Sequence, residues 1–193
     1  MHFSARFLAH RHACAFAGLT ESFLPHFPEL DDLDFELDLL PSSSRYLGLT
    51  DHDRRPPRIR LRPARPTSPS LTYTIPHELT HLLQRPAGEA PLGERSCDLY
   101  AMARAGHRFL FAPTYLRVPR PAWEEWERWR VSATALAREA LRQRGEGRRT
   151  YIAWWESSFR ALVTALTRGD ASSDIESRRP PGGSRVGGST DRT

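Results

Sequence analysis

The chain contains no lysine, and all 28 of its basic side chains are arginine. Beside 16 prolines, this reads as a GC-rich coding bias more than as a surface built for phosphates, because basic charge alone fixes no function. Cysteine is scarce: Cys14 and Cys97 are the whole complement, and neither has a partner at C-x-x-C spacing. Two cysteines build no disulfide framework, so a reducing cytoplasm is the expected compartment. Long apolar runs are missing as well. No stretch approaches the roughly 18 residues of a membrane span, and no membrane partner is expected. The apolar patch from Ala13 to Leu19 is short, and arginines and histidines interrupt what precedes it. It is not expected to be a signal peptide. Internal repeats are absent.

What remains suits one soluble domain. The 193 residues, 39% hydrophobic and 26% charged with a formal net charge of +5, are enough for one core and short for two. The domain is expected over residues 1–168. Residues 169–193, rich in Gly, Ser, Pro and Arg without aromatics, are expected to form a disordered tail.

Within the domain, apolar positions over residues 2–24 suggest a broken helix ended by Pro25 and Pro28. Residues 30–40, "LDDLDFELDLL", alternate apolar with acidic positions and predict a half-buried strand. Residues 44–52 and 55–63 are two further strands. The second is bounded by prolines and therefore suits an edge. A helix is expected to begin near Thr74 with Pro76 in its first turn. A second covers 94–105 and closes at Gly106. A third runs from Pro121 to about Gln143, and a last from Thr150 to Arg168. The fold class is α+β.

The stretch "TIPHELTHLLQ" (74–84) carries the chemistry. His77 and His81 stand four apart, so on a helix they share one face about 6 Å of rise apart. Each neutral imidazole can bind zinc at about 2.0–2.1 Å. Glu78 is rotated about 100° from His77. It sits beside such a metal rather than on it, where a general base belongs. H-E-x-x-H also arises by chance, so its surroundings must decide. A catalytic zinc takes three protein ligands. The following stretch "GERSCDLYA" (93–101) offers two carboxylates one helical turn apart, Glu94 and Asp98.

On these residues the chain resembles the zincin metallopeptidases. H-E-x-x-H followed by E-x-x-x-D is similar to the gluzincin (thermolysin-like) pattern, over about residues 71–102. The resemblance implies a zincin-like domain, a Zn2+ cofactor and hydrolysis of peptide bonds in a peptide or protein substrate. It also implies that the glutamate is the third ligand and that the aspartate bonds the first histidine. The chain departs from the pattern in that His81 and Glu94 lie closer together than in gluzincins. Two helices paired antiparallel about residues 88–89 bring Asp98 level with the histidines and favour it as ligand. A tilted or later second helix favours Glu94. The metzincin pattern is absent, since no third histidine follows at its spacing, and Met102 reads as core.

Zincins hold substrate as an added strand on a sheet edge, and residues 45–52 and 57–63 are candidates for that edge and its neighbour. Tyr115, with His107 and Tyr100 as alternatives, is the candidate oxyanion donor. Cys97 is expected to face the core, and His10 and His12 the surface. Two C-terminal helices bearing tryptophans are expected as a lid or flank. The expected function is a zinc metallopeptidase with Glu78 as base. The rivals are a zincin-like zinc protein without peptidase activity, or a basic nucleic-acid-associated protein using the six arginines from Arg54 to Arg65.

Overall fold

The computed structural model describes residues 1–85 and 87–177, with side chains as far as Arg168. Residues 178–193 of the expected tail lie outside the described residues. The chain is α+β. Its four-stranded mixed sheet has the order β1 (His2–Phe3), β2 (Glu36–Leu39), β4 (Arg58–Leu61), β3 (Gly48–Asp51). β1, β2 and β4 run parallel, while β3 pairs antiparallel with β4.

The alternation in the sequence produces the two faces. Leu37, Leu39, Ile59 and Leu61 are buried on one face, against α3 (Pro69–Gln84). Glu36, Asp38 and Arg58 lie on the other, where the Arg58 guanidinium bonds Glu36 at 2.8 Å and Asp38 at 3.3 Å. Ser4 also donates to Asp38, and α1 (Ala5–Leu8) begins directly after it. Alternation over 30–40 yields a strand only at Glu36–Leu39, because Leu30 closes a 3-10 turn.

Three expectations are corrected. The proline-flanked strand β4 is internal, between β2 and β3, and β3 is the edge. Pro57 and Pro63 fall outside the Arg58–Leu61 ladder, so no N–H is lost where pairing needs one. α3 begins at Pro69 rather than near Thr74, and Pro76 lies inside it. A helix-interior proline costs about 3 kcal/mol. Burial of Leu71, Tyr73 and Ile75 in the additional turns offsets that cost. The N-terminal segment is a strand followed by two helices, α1 and α2 (Ala13–Glu21), rather than one broken helix.

α4 (Glu94–Ala105) ends at Gly106, whose φ of +61° favours glycine. The helix expected from Pro121 is divided into α5 (Arg120–Glu124) and α6 (Trp126–Gly145). The last, α7, spans Tyr151–Ser177 and so continues past Arg168. Both long C-terminal helices flank α4. Ser96 and Tyr151 hydroxyls meet at 3.1 Å, Arg95 pairs with Glu156 at 2.6 Å, and Trp155 donates its indole N–H to the Ala133 carbonyl. Trp155 stacks on Phe159 with centroids 5.1 Å apart, and both are fully buried.

Phe159 therefore anchors the brace behind α4. Phe159→Ala is expected to lower the unfolding free energy by about 3–5 kcal/mol, read as a lower urea midpoint at unchanged slope.

Candidate metal centre

α3 presents His77 and His81 on one face, with ring centroids 5.0 Å apart. Their Nε2 atoms converge on a single oxygen. Glu94 Oε2 lies 3.0 Å from His77 Nε2 and 3.4 Å from His81 Nε2. Glu94 opens α4, and its side chain is 48% exposed, so the three groups meet at the cleft surface rather than in the core.

Asp98, one turn on, is fully buried and faces elsewhere. Its Oδ1 accepts from His77 Nδ1 at 2.9 Å and from the Tyr73 hydroxyl at 2.9 Å. Its Oδ2 accepts from the backbone N–H groups of Tyr115 at 2.6 Å and Leu116 at 3.3 Å. Of the two carboxylates, Glu94 reaches both Nε2 atoms, whereas Asp98 meets His77 on its Nδ1 side. Glu94 has one more methylene and an open first turn. Asp98 is enclosed, and protein donors already occupy both its oxygens.

The short connection from His81 to Glu94 is closed by Gln84. Its side-chain oxygen accepts from His81 Nδ1 at 3.1 Å, and its amide donates to the carbonyls of Pro91 and Gly93. Gly93 precedes α4 with φ +108°, a conformation that side-chain-bearing residues rarely adopt. One amide thus orients the second imidazole and locates the start of the helix that carries Glu94.

Glu78 is held from the sheet. The Thr50 hydroxyl donates to its Oε2 at 2.7 Å. At Gly48, on the same strand face, a Cβ would lie 2.5 Å from Glu78 Oε1 and 2.7 Å from its Cγ. Only glycine leaves this room.

Charge in the site is unevenly shared. Burial opposes a proton on His77, but the bonds to Asp98 and then Glu94 outweigh it and push its pKa up to about 10. Burial, then the neighbouring His77, holds His81 below the usual histidine value. Burial raises Glu78 to about 7, against the pull of His77 and the Thr50 bond. The His77 bond holds Glu94 below the usual carboxylate range.

Cys97 is buried, as expected of a core residue, yet its sulfur lies 3.3 Å from His81 Nδ1. His77, His81 and Cys97 offer donor atoms within 4.8 Å of one another. The thiol approaches His81 on its Nδ1 side, away from the shared Nε2 meeting point, and burial pushes its pKa up. The sulfur and the Glu94 carboxylate thus meet the His81 ring at different nitrogens.

Tyr115 stacks on His77 at 5.7 Å and is about half exposed. It lines both pockets that flank the histidines, of about 230 and 210 Å³. His107 and Tyr100 line neither. Tyr100 is buried, with the guanidinium groups of Arg104 and Arg144 over its ring. His10 and His12 are half-buried rather than exposed, and His10 stacks on Phe16. Of the six arginines from Arg54 to Arg65, Arg55, Arg58 and Arg62 are bonded within the fold.

Sequence reasoning missed Tyr73, Gln84, Gly48 and Thr50. Two had a signal: Tyr73 lies four residues before His77 and Gln84 three after His81, both on the histidine face. Gly48 and Thr50 had only their alternation in a short strand. No protein-family model, curated protein or solved structure matches the chain.

The two carboxylates should separate by experiment. Asp98→Ala strands a buried imidazole, a phenol and two amides, and is expected to cost about 3–5 kcal/mol of stability. Glu94→Ala, which removes a half-exposed carboxylate that water can replace, is expected to cost less than about 1 kcal/mol. Urea unfolding of the metal-free proteins reads both.

Proposed function

We propose that the chain is a zinc-dependent peptidase, with His77, His81 and Glu94 as the metal ligands. The observation that carries this reading is the convergence of both Nε2 atoms on one Glu94 oxygen. The donor set fits zinc: two imidazoles and one carboxylate, each imidazole with its Nδ1 bonded to a protein oxygen. Zinc bound there supplies a Lewis acid at neutral pH.

The remaining work belongs to side chains. Glu78 is adjacent to the ligand set but bonded to none of it, and takes a proton from the attacking water and returns it to the leaving amine. Asp98 holds His77 in the orientation that directs Nε2 into the cleft. The Tyr115 phenol borders both pockets and is the donor for the oxyanion.

The edge strand β3 supports a peptide as substrate. Both pockets run along it, the first beside Leu47 and Gly48 and the second beside Gly48, Leu49 and Thr50. An extended peptide added to this edge would cross directly in front of His77 and Glu78. Its affinity would come from main-chain hydrogen bonds, which tolerate many sequences.

Purified protein is expected to hold one zinc per chain, and His81→Ala to hold none. Glu78→Gln should keep the metal and lose at least about 100-fold in turnover. Elemental analysis paired with a quenched-fluorescence peptide library measures both. A wild type without stoichiometric zinc, indistinguishable from His81→Ala, would sink the reading.

A further inference from the structure

The edge strand has a second role that its alternation makes explicit. In an antiparallel pair, successive residues point their N–H and C=O groups alternately toward and away from the partner strand. The Leu47 carbonyl accepts from the Arg62 N–H at 2.8 Å, so Leu47 faces β4. Leu49 and Asp51, opposite Arg60 and Arg58, follow in the same sense. Gly48 and Thr50 therefore direct their backbone groups to the free edge. These same two residues touch the base: Thr50 bonds Glu78 Oε2 at 2.7 Å, and Gly48 leaves the space that Oε1 and Cγ fill.

We infer that Thr50 is a positioning residue for Glu78, and that Gly48 and Thr50 join substrate docking to placement of the base. The inference rests on the peptidase reading. A peptide added to β3 takes its main-chain bonds from the two residues that border Glu78, Thr50 bonding Oε2 and Gly48 leaving room for Oε1. Docking therefore firms the strand that orients the base. Glu78 is 5% exposed, and among the described residues the Thr50 hydroxyl is the side-chain donor that sets its rotation. A base turned away from the reacting atoms loses rate without loss of binding.

The test compares Thr50→Val, which keeps the branched shape and removes the donor, with Thr50→Ser, which keeps the donor. The probe is the best peptide from a quenched-fluorescence library, cleaved by the zinc-loaded full chain. Thr50→Val is expected to lower kcat about 10- to 100-fold with KM within about twofold. Thr50→Ser should recover kcat to within about threefold, and zinc content should stay at the wild-type value in both. Should valine not fold, Thr50→Ala takes its place.

Several results overturn the inference. An unchanged kcat in Thr50→Val does so, as does a rise in KM alone. An equal loss in Thr50→Val and Thr50→Ser would mean that shape, not the hydroxyl, matters. The peptidase reading fails separately: wild type loaded with zinc and cleaving no library peptide removes that reading and this inference with it.

Discussion

The His77 side of the site leans on one buried carboxylate. Asp98 gathers a phenol from the fourth residue before His77, the imidazole of His77 itself and two consecutive backbone N–H groups from the segment after α4. Four donors for two oxygens leave no lone pair unused, which is what a carboxylate with no exposed surface requires. The knot joins α3, α4 and the Tyr115–Leu116 segment at one atom group. It sets the orientation of His77, and through Tyr115 it sets one wall of the cleft.

Around that knot the chain assembles the site from three directions. α3 brings the two histidines and Glu78. α4 brings Glu94, whose place is fixed by the Gln84 amide at the end of α3. The sheet brings Gly48 and Thr50 against Glu78. The C-terminal helices stay out of the cleft. One tie to it is Glu156, which accepts from the Arg117 N–H and pairs with Arg95 in the first turn of α4.

The helices at the centre were legible because their signals are local. A four-residue spacing places two histidines on one helix face and a terminal glycine closes a helix, and α4 lies where the sequence puts it. Two readings failed where tertiary packing outweighed a local rule. Pro76 looked like a helix start, but apolar residues at 71, 73 and 75 had a core to fill and carried the helix through it. Prolines around Arg58–Leu61 looked like an edge, but they stand clear of the ladder. The third donor was ambiguous because hairpin geometry ranks residues by level along a helix. Reach and enclosure distinguish the two carboxylates in the fold, and neither is written in spacing. Thr50 and Gly48 could not be found at all, because their contact with Glu78 spans about thirty residues of chain that only sheet order brings together.

The Asp98 knot draws all its bonds from the protein, so the fold alone sets this wall of the cleft. Small domains that fold around a metal lose their structure with it. Here the orientation of His77 belongs to the fold itself, because every donor to Asp98 is a group of the chain.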